Sequence, residues 1–392
     1  MVISRRNNSE PIFIQAFNIW KRIPNKALFR QSYSPLIINP VANGFGLMSA
    51  KQKRAFLVSF KDEDGVDEGG LYNEFFHEIT NELMTSSKLK LFIRTPNHIR
   101  EDGPEQYLFK TNPALGHQSD DAQAFELFEF VGVLIGIALR CEVVMGFNFP
   151  SLFWKYLVDE EVGNEDLERI DARLVASCKE IVDCKAEDYN TNFNDTTWSC
   201  VVSSEQNLVH DLIPNGRNIK VSWEQRKEFT EKLIHFELHK KDAPHLEAIK
   251  RGISSIIPEG YLSMFSWKEL ESAICGDPVN IFELKKNAIY EDVSSEEEHV
   301  KFFWQVLEEL TTEEQEKFLR FAWARSRMPP SGTNQGITIS APPSESRDNP
   351  DLFLPRSNTC SFKMHLPQYT TVQNARDKIL YAINHCTELD RI

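Results

Sequence analysis

The sequence predicts an α+β protein in two unequal parts, a large and mostly helical one followed by a smaller mixed one. Three observations predict this. Apolar residues recur at helical spacing through most of the chain from Leu71 to Ile274. Gly276-Asp277-Pro278 then interrupts it, because a glycine and a proline two apart stop a helix and suit a turn or hinge. Beyond the break, Phe362, Met364 and Leu366 alternate with Ser361, Lys363 and His365, as in a half-buried strand. A length of 392 residues accommodates two domains.

Taken in order, residues 56–60 read as a short buried strand. An acidic run follows, Asp62-Glu63-Asp64-Gly65-Val66-Asp67-Glu68-Gly69-Gly70, ahead of a helical stripe of Leu71, Phe75, Phe76, Ile79 and Leu83. The run fails as a calcium loop, since Val66 falls where a third oxygen ligand is needed and Asp67 where glycine is needed. It fails as a phosphate loop because no Gly-Lys-Ser/Thr follows. A tight strand-to-helix turn is the better reading. Phe128, Val131, Leu134, Ile135 and Ala138 define a buried helix. On it Gly132 and Gly136 would let another helix approach closely, with a binding groove as the alternative use. Pro150 suits the first position of the next apolar helix.

From about 165 to 237 the texture changes. Helical pieces over 174–184 give way to a polar section over 188–197, an alternating Trp198-Ser199-Cys200-Val201-Val202 and a turn at Ile213-Pro214-Asn215-Gly216. A helix over 223–238 closes the stretch, which reads as a small sub-domain inserted in the larger part. Helices resume over 244–252 and 267–274. After the break, Ser295 with Glu298 and Thr311 with Glu314 form capping-box signals. The first precedes Val300, Phe303, Trp304, Leu307 and Leu310; the second precedes Phe318, Phe321 and Ala322. Residues 329–350 are rich in Pro, Ser, Gly and Asn and read as a loop with a brief strand at Ile337-Thr338-Ile339. Val372, Ala375, Ile379, Ala382, Ile383 and Cys386 give a last helix.

Composition narrows the function. Hydrophobic residues make up 41%, including 27 Phe, enough apolar mass for a real core. A net charge of −14 argues against non-specific nucleic-acid binding and suits a basic protein partner. Seven scattered cysteines do not form a disulfide framework, and without a Cys-x-x-Cys pair a zinc site has little support. The longest apolar run, 130–139, is too short to span a bilayer, and no signal-peptide pattern follows Met1. A soluble protein of a reducing compartment is expected, cytoplasmic and also nuclear.

Cys360 is the candidate nucleophile. It stands in Leu354-Pro355-Arg356-Ser357-Asn358-Thr359-Cys360-Ser361-Phe362-Lys363-Met364-His365-Leu366-Pro367. Structural cysteines sit among apolar neighbours, whereas this one has polar neighbours and Arg356 and Lys363 close by. Such a setting favours the thiolate, which is the reactive form. Thr359 either offers a hydroxyl or backbone N–H to a developing oxyanion or only shapes the loop. Strand alternation turns His365 away from a simple general-base role, and His385 on the last helix is similarly placed in doubt. Both read as exposed histidines.

Eight segments in order carry a resemblance: Asp64-Gly65-Val66-Asp67-Glu68-Gly69-Gly70-Leu71, Phe130-Val131-Gly132-Val133-Leu134-Ile135-Gly136, Leu212-Ile213-Pro214-Asn215-Gly216, Arg226-Lys227-Glu228-Phe229, Arg251-Gly252, Ile274-Cys275-Gly276, Phe302-Phe303-Trp304, and Phe321-Ala322-Trp323-Ala324-Arg325-Ser326-Arg327. With Leu354-Pro355 through Thr359-Cys360 to Leu366-Pro367, the chain resembles a complete HECT domain, the catalytic module of one class of ubiquitin ligases, and within it the HERC-like members. The resemblance implies a bilobed HECT fold. Its large N-lobe would be 1–275, with the sub-domain at about 165–237 binding the ubiquitin-conjugating enzyme. The hinge would be Gly276, Asp277 and Pro278, and the smaller α/β C-lobe 279–392.

The same resemblance implies that Cys360 accepts ubiquitin from a charged conjugating enzyme and passes it to a substrate lysine, with no cofactor or metal. It points to Cys178, Val182, Trp198 and Phe229 as the conjugating-enzyme surface, although sub-domain core is an equal reading for each. It gives Leu389 a part in lysine transfer, where an aromatic is common. Ser361 and Ala324 also depart from the family pattern, which puts an aromatic and a glycine there. Domains of this kind usually end longer proteins, so a fragment is expected. A cysteine hydrolase and a non-catalytic docking module are the competing readings. The first lacks a protease signature around the cysteine, and the second would have no use for Thr359-Cys360.

Overall fold

The computed structural model describes residues 1–4, 10–23, 54–61, 70–116, 122–203, 206–258, 260–323, 327–328, 336–342, 349–358 and 362–385. The acidic run at 62–69 lies outside these, as does Ala324.

A two-residue strand β1 (Val2–Ile3) is followed by α1 (Ile12–Trp20), and pairs in parallel with β2 (Ser59–Phe60). The strand expected over 56–60 is therefore confined to its last two residues, matching the two that β1 offers. The stripe beginning at Leu71 forms α2 (Gly70–Thr85), with Phe75, Phe76, Ile79 and Leu83 buried. Its Glu82 carboxylate accepts from the N–H groups of Ile12 and Phe13, both at 2.9 Å. These are orphan donors of the first turn of α1, where negative charge is favoured.

Next come the antiparallel strands β3 (Phe92–Arg94) and β4 (Phe109–Thr111), with α3 (Pro96–Arg100) in the loop between them. α4 (Ala122–Cys141), α5 (Ser151–Leu157) and α6 (Asn164–Ile170) follow. Pro150 stands one place earlier than expected, as the extended residue before α5 with φ −69° and ψ 161°. The changed texture becomes α7 (Ala172–Asp183), α8 (Ala186–Asn192), an antiparallel hairpin of β5 (Ser199–Ser203) with β6 (Leu208–Asp211), and α9 (Arg226–His239). α8 arises in the section read as merely polar. It is held by buried Tyr189, whose hydroxyl donates to the Val221 carbonyl at 3.0 Å.

α10 (Ala243–Ser254) then crosses α4 at their glycines. A Cβ on Gly132 would lie 1.9 Å from the Ile249 carbonyl oxygen, and one on Gly252 would lie 1.9 Å from that of Glu129. The two backbones meet directly, and no side chain of either residue could fit. Gly132 thus serves core packing rather than a groove. α11 (Trp267–Cys275) ends at Gly276, whose φ of 76° favours glycine.

Beyond it lie α12 (Ile281–Lys286), β7 (Ile289–Glu291), α13 (Glu298–Glu309), α14 (Thr312–Trp323), β8 (Thr338–Ser340), β9 (Arg356–Asn358), β10 (Lys363–His365) and α15 (Val372–His385). The four strands form one sheet in the order β7-β8-β10-β9, parallel except for the β10–β9 pair. The capping box at Thr311 forms, with the Glu314 carboxylate on Thr311 N at 2.9 Å and Thr311 Oγ1 on Glu314 N at 3.3 Å. The one expected at Ser295 does not. Glu297 instead reaches back to Ser294 N at 2.7 Å, so the local ring closes one residue earlier than the sequence pattern suggests.

Buried apolar side chains gather in three clusters. The largest spans β1 to α11, and a second joins α12–α15 with the four-stranded sheet. The third is small and lies within α7–α9 and their hairpin. Leu167 and Ile170 of α6 belong to the first, so the small core begins at α7, after the expected start near 165.

Gly132→Ala is expected to lower stability by about 1–3 kcal/mol through overpacking. Chemical denaturation followed by tryptophan fluorescence reads it. An unchanged midpoint would mean that α4 and α10 can part without loss.

Candidate functional site

Cys360, Thr359 and Ser361 lie outside the described residues, as do Cys386 and Leu389. What is described is the frame on either side of them. β9 ends at Asn358, which pairs with Lys363, the first residue of β10. The stretch containing Cys360 therefore joins two antiparallel neighbours. Both flanks are fastened to the end of α14. On one side Ser357 Oγ donates to the Phe321 carbonyl at 2.6 Å. On the other, the buried Phe362 ring lies flat on Trp323, with centroids 4.2 Å apart and planes within 5°.

Phe362 takes a φ of 49°, a left-handed conformation that costs a non-glycine residue roughly 1–2 kcal/mol. An aromatic stack returns about 0.5–1.5 kcal/mol. The Phe362 carbonyl also accepts from Thr338 N at 2.9 Å, tying this residue to β8. Met364 points into the core and is fully covered, while Lys363 Nζ pairs with Glu291 of β7 at 2.5 Å.

Of the five described cysteines, Cys141, Cys178, Cys200 and Cys275 are poor nucleophiles. Burial pushes the Cys178 thiol up to about 11, and Cys200 and Cys275 up to about 12. Burial also raises Cys141, which lies 3.7 Å from the Tyr72 hydroxyl. These thiols stay protonated at neutral pH and pack as small hydrophobes. His365 is half-buried rather than exposed. Its Nδ1 lies 2.8 Å from Ser340 Oγ and 3.3 Å from the Ala341 carbonyl, which ties the ring to β8. His385 is exposed as expected and stacks on Tyr381 at 4.2 Å.

The break at 276–278 has a definite geometry. Asp277 exchanges both backbone hydrogen bonds with Met328, at 2.9 and 2.8 Å, and its carboxylate accepts from Ser272 Oγ. A Cβ on Gly276 would stand 2.2 Å from the Met328 carbonyl oxygen. A cavity of about 340 Å³ opens beside this bridge, lined among others by Tyr107, Trp267, Glu271 and Arg327. Glu271 lies 3.8 Å from Arg327, yet burial dominates and raises its carboxyl.

The four residues assigned to the conjugating-enzyme surface are only partly available. Cys178, Trp198 and Phe229 are 3%, 2% and 4% exposed and form the small core, with Trp198 and Phe229 edge to face at 5.8 Å. Side chains so covered have little area to give a partner, so packing is the part the structure gives them. Val182 is half-buried, and Val201 and Ile219 are the large exposed apolar residues of this region.

Sequence reasoning missed β9, because Arg356, Ser357 and Asn358 are polar and only pairing makes them a strand. It also missed the Trp323–Phe362 stack. The alternation that marked Phe362 as inward-facing was the available signal. Among the described residues, no group of three or more His, Cys, Asp or Glu could hold a metal ion, and no helix is long and apolar enough to cross a membrane.

The described geometry thus holds both flanks of the Cys360 stretch, Ser357 and Phe362, to one helix end. Over residues 77–390 the chain matches the family described as HECT-domain (ubiquitin-transferase). It is 30% identical over 359 residues to the mouse E3 ubiquitin-protein ligase HERC2, covering 88% of this chain and 7% of that protein. It is 28% identical over 346 residues to E3 ubiquitin-protein ligase Smurf1 of Drosophila melanogaster, covering 86% of this chain and 31% of that protein. With E3 ubiquitin-protein ligase RSP5 of Chaetomium thermophilum the identity is 26% over 346 residues, or 84% and 39%. The chain belongs to the HECT-domain family, and it spans well under two thirds of the length of each of these relatives.

Phe229→Ala is expected to destabilise the small core by about 3–5 kcal/mol. Hydrogen exchange should then rise across α7–α9 first. Unchanged protection there, with weaker docking of a conjugating enzyme, would return Phe229 to the surface role.

Proposed function

We propose that this chain is a ubiquitin-protein transferase acting through Cys360. The observation that carries the reading is the family match over 77–390, within which Thr359-Cys360 joins the paired strands β9 and β10. In the first step the Cys360 thiolate attacks the carbonyl carbon of the thioester between ubiquitin and its conjugating enzyme. A new C–S bond forms, the old one breaks, and the conjugating enzyme's cysteine leaves as a thiolate. In the second step a substrate lysine amine attacks, a C–N bond forms, Cys360 is released, and the amine gives up its proton. Splitting the transfer in this way is covalent catalysis. Exchange between two thioesters is nearly even in energy, so no cofactor is needed.

Thr359 is proposed to aid the developing oxyanion, and Leu389 to aid the lysine step. The conjugating enzyme is proposed to dock on the sub-domain at about 165–237. Its contact residues would be drawn from Val182 and the exposed Val201 and Ile219 rather than from buried Cys178, Trp198 and Phe229. The lobes would be 1–275 and 279–392, with Gly276, Asp277 and Pro278 as the hinge. Two apolar clusters without a shared member, one before and one after this point, support that division. The bridge between Asp277 and Met328 and the cavity beside it would allow one cysteine to serve two partners in turn. The acidic surface and the reduced cysteines suit a cytoplasmic and nuclear location.

A single-turnover assay with a ubiquitin-charged conjugating enzyme tests the reading. A thiol-labile adduct should form and be absent in Cys360→Ala; normal transfer by that variant would sink the mechanism. Trp323→Ala removes the ring beneath Phe362. Adduct formation should slow roughly tenfold or more, as expected when a nucleophile is misplaced by about an ångström, with binding of the conjugating enzyme retained. Unaltered loading would mean that the stack does not hold the site.

A further inference from the structure

The chain leaves the large core at the α6–α7 junction and returns to it just before α10. One hairpin, β3–α3–β4, grips both passages. At the exit, Asn97 is 2% exposed and spends its whole amide on the junction and its own loop. Its Nδ2 donates to the Glu168 carbonyl at 2.8 Å and to the Pro104 carbonyl at 3.1 Å, and its Oδ1 accepts from Ala172 N at 2.8 Å. Gly103 presses on the same point with φ 81°, where an added Cβ would meet the Ala172 side chain at 2.8 Å. Outside this lie two ion pairs, Arg100 with Asp171 at 2.7 Å and Arg173 with Asp102 at 2.9 Å.

At the return, Lys110 Nζ meets Asp242 Oδ2 at 2.9 Å, and Thr111 Oγ1 donates to Asp242 Oδ1 at 2.7 Å, all of them buried. Burial alone would raise Asp242 and lower Lys110; their mutual attraction outweighs it and keeps both charged. Apolar packing across the boundary comes from few residues: Leu238 at the end of α9 is buried in the large core, half-buried Val175 packs against it, and Leu174 and Ile234 pack against both cores, which share no buried member.

We infer that the β3–α3–β4 hairpin is a two-point clamp fixing the angle of the 172–239 sub-domain, and that Asn97 is a positioning residue for the first transfer. The inference rests on the reading that the conjugating enzyme docks on this sub-domain. The clamp would then set where the incoming thioester stands relative to Cys360, without touching either. An unclamped sub-domain would bind its partner equally well and present it in many orientations.

Asn97→Ala in the full chain tests this. The maximal rate of Cys360 loading should fall roughly tenfold to a hundredfold, while the half-saturating concentration of charged conjugating enzyme stays the same. Lysine transfer from preloaded Cys360 should be unaffected. Bio-orthogonal labels at exposed Glu187 and Lys268, read by electron–electron resonance, should show one distance in the parent and a broad spread in the variant. Asn97→Asp keeps the acceptor for Ala172 N and loses the donors, so it should give a smaller fall and serves if the alanine variant does not fold. Loss of loading and lysine transfer together, or an unchanged label distance, would overturn the clamp. Should the parent take ubiquitin from no charged enzyme, the ligase reading fails, and the label distance alone decides the clamp.

Discussion

The rest of the structure depends on two helices meeting without side chains between them. Gly132 on α4 and Gly252 on α10 each face a carbonyl of the other helix at a distance no Cβ could tolerate. This contact seats α10 on α4, which is buried without a break from Phe130 to Ala138. Around it His245 is locked between the rings of Phe125 and Phe128, with its Nε2 2.9 Å from the Leu115 carbonyl. Because Asp242 directly precedes α10, the seating of that helix fixes the point where the small core rejoins the large one. The break at Gly276 lies only one helix further along.

The second constraint is electrostatic and works through contrast between cysteines. Buried thiols at 178, 200 and 275 are pushed far above neutrality by loss of solvent, so they are chemically silent. Cys360 was singled out by polar neighbours, and its flanks are braced by Ser357 and Phe362 against a single helix end. Packing is thus the part that their surroundings give the three described thiols at 178, 200 and 275.

The long helices were legible because their apolar stripes are periodic and uninterrupted, as from Leu71 to Leu83 and from Phe128 to Ala138. The box at Thr311 was legible because both partners are local. Elements that only pairing reveals were not. β9 is polar throughout, and the Asp277–Met328 bridge joins residues with no shared pattern. The box at Ser295 failed because the neighbouring Ser294 and Glu297 have the same three-residue spacing, and Glu297 accepts from Ser294 N. Trp198 and Phe229 were ambiguous for a different reason. A large aromatic suits a docking surface as well as a small core, and only packing decides between them.

The sheet beside Cys360 has a consequence for how the protein comes to be folded. Its middle strand β8 pairs in parallel with β7 and β10, so each pairing must wait for a long intervening segment to be laid down. Such non-local contacts form slowly, because the entropy of closing the loop is spent before any contact repays it. Helices α13 and α14, and the β9–β10 pair whose Asn358 and Lys363 are near neighbours in sequence, can form locally, but the seating of β10 on β8 cannot. The frame on either side of residues 359–361 is therefore complete only once that parallel pairing has closed. A half-folded chain would carry the β9–β10 pair without the sheet and helix end that hold it in the finished structure.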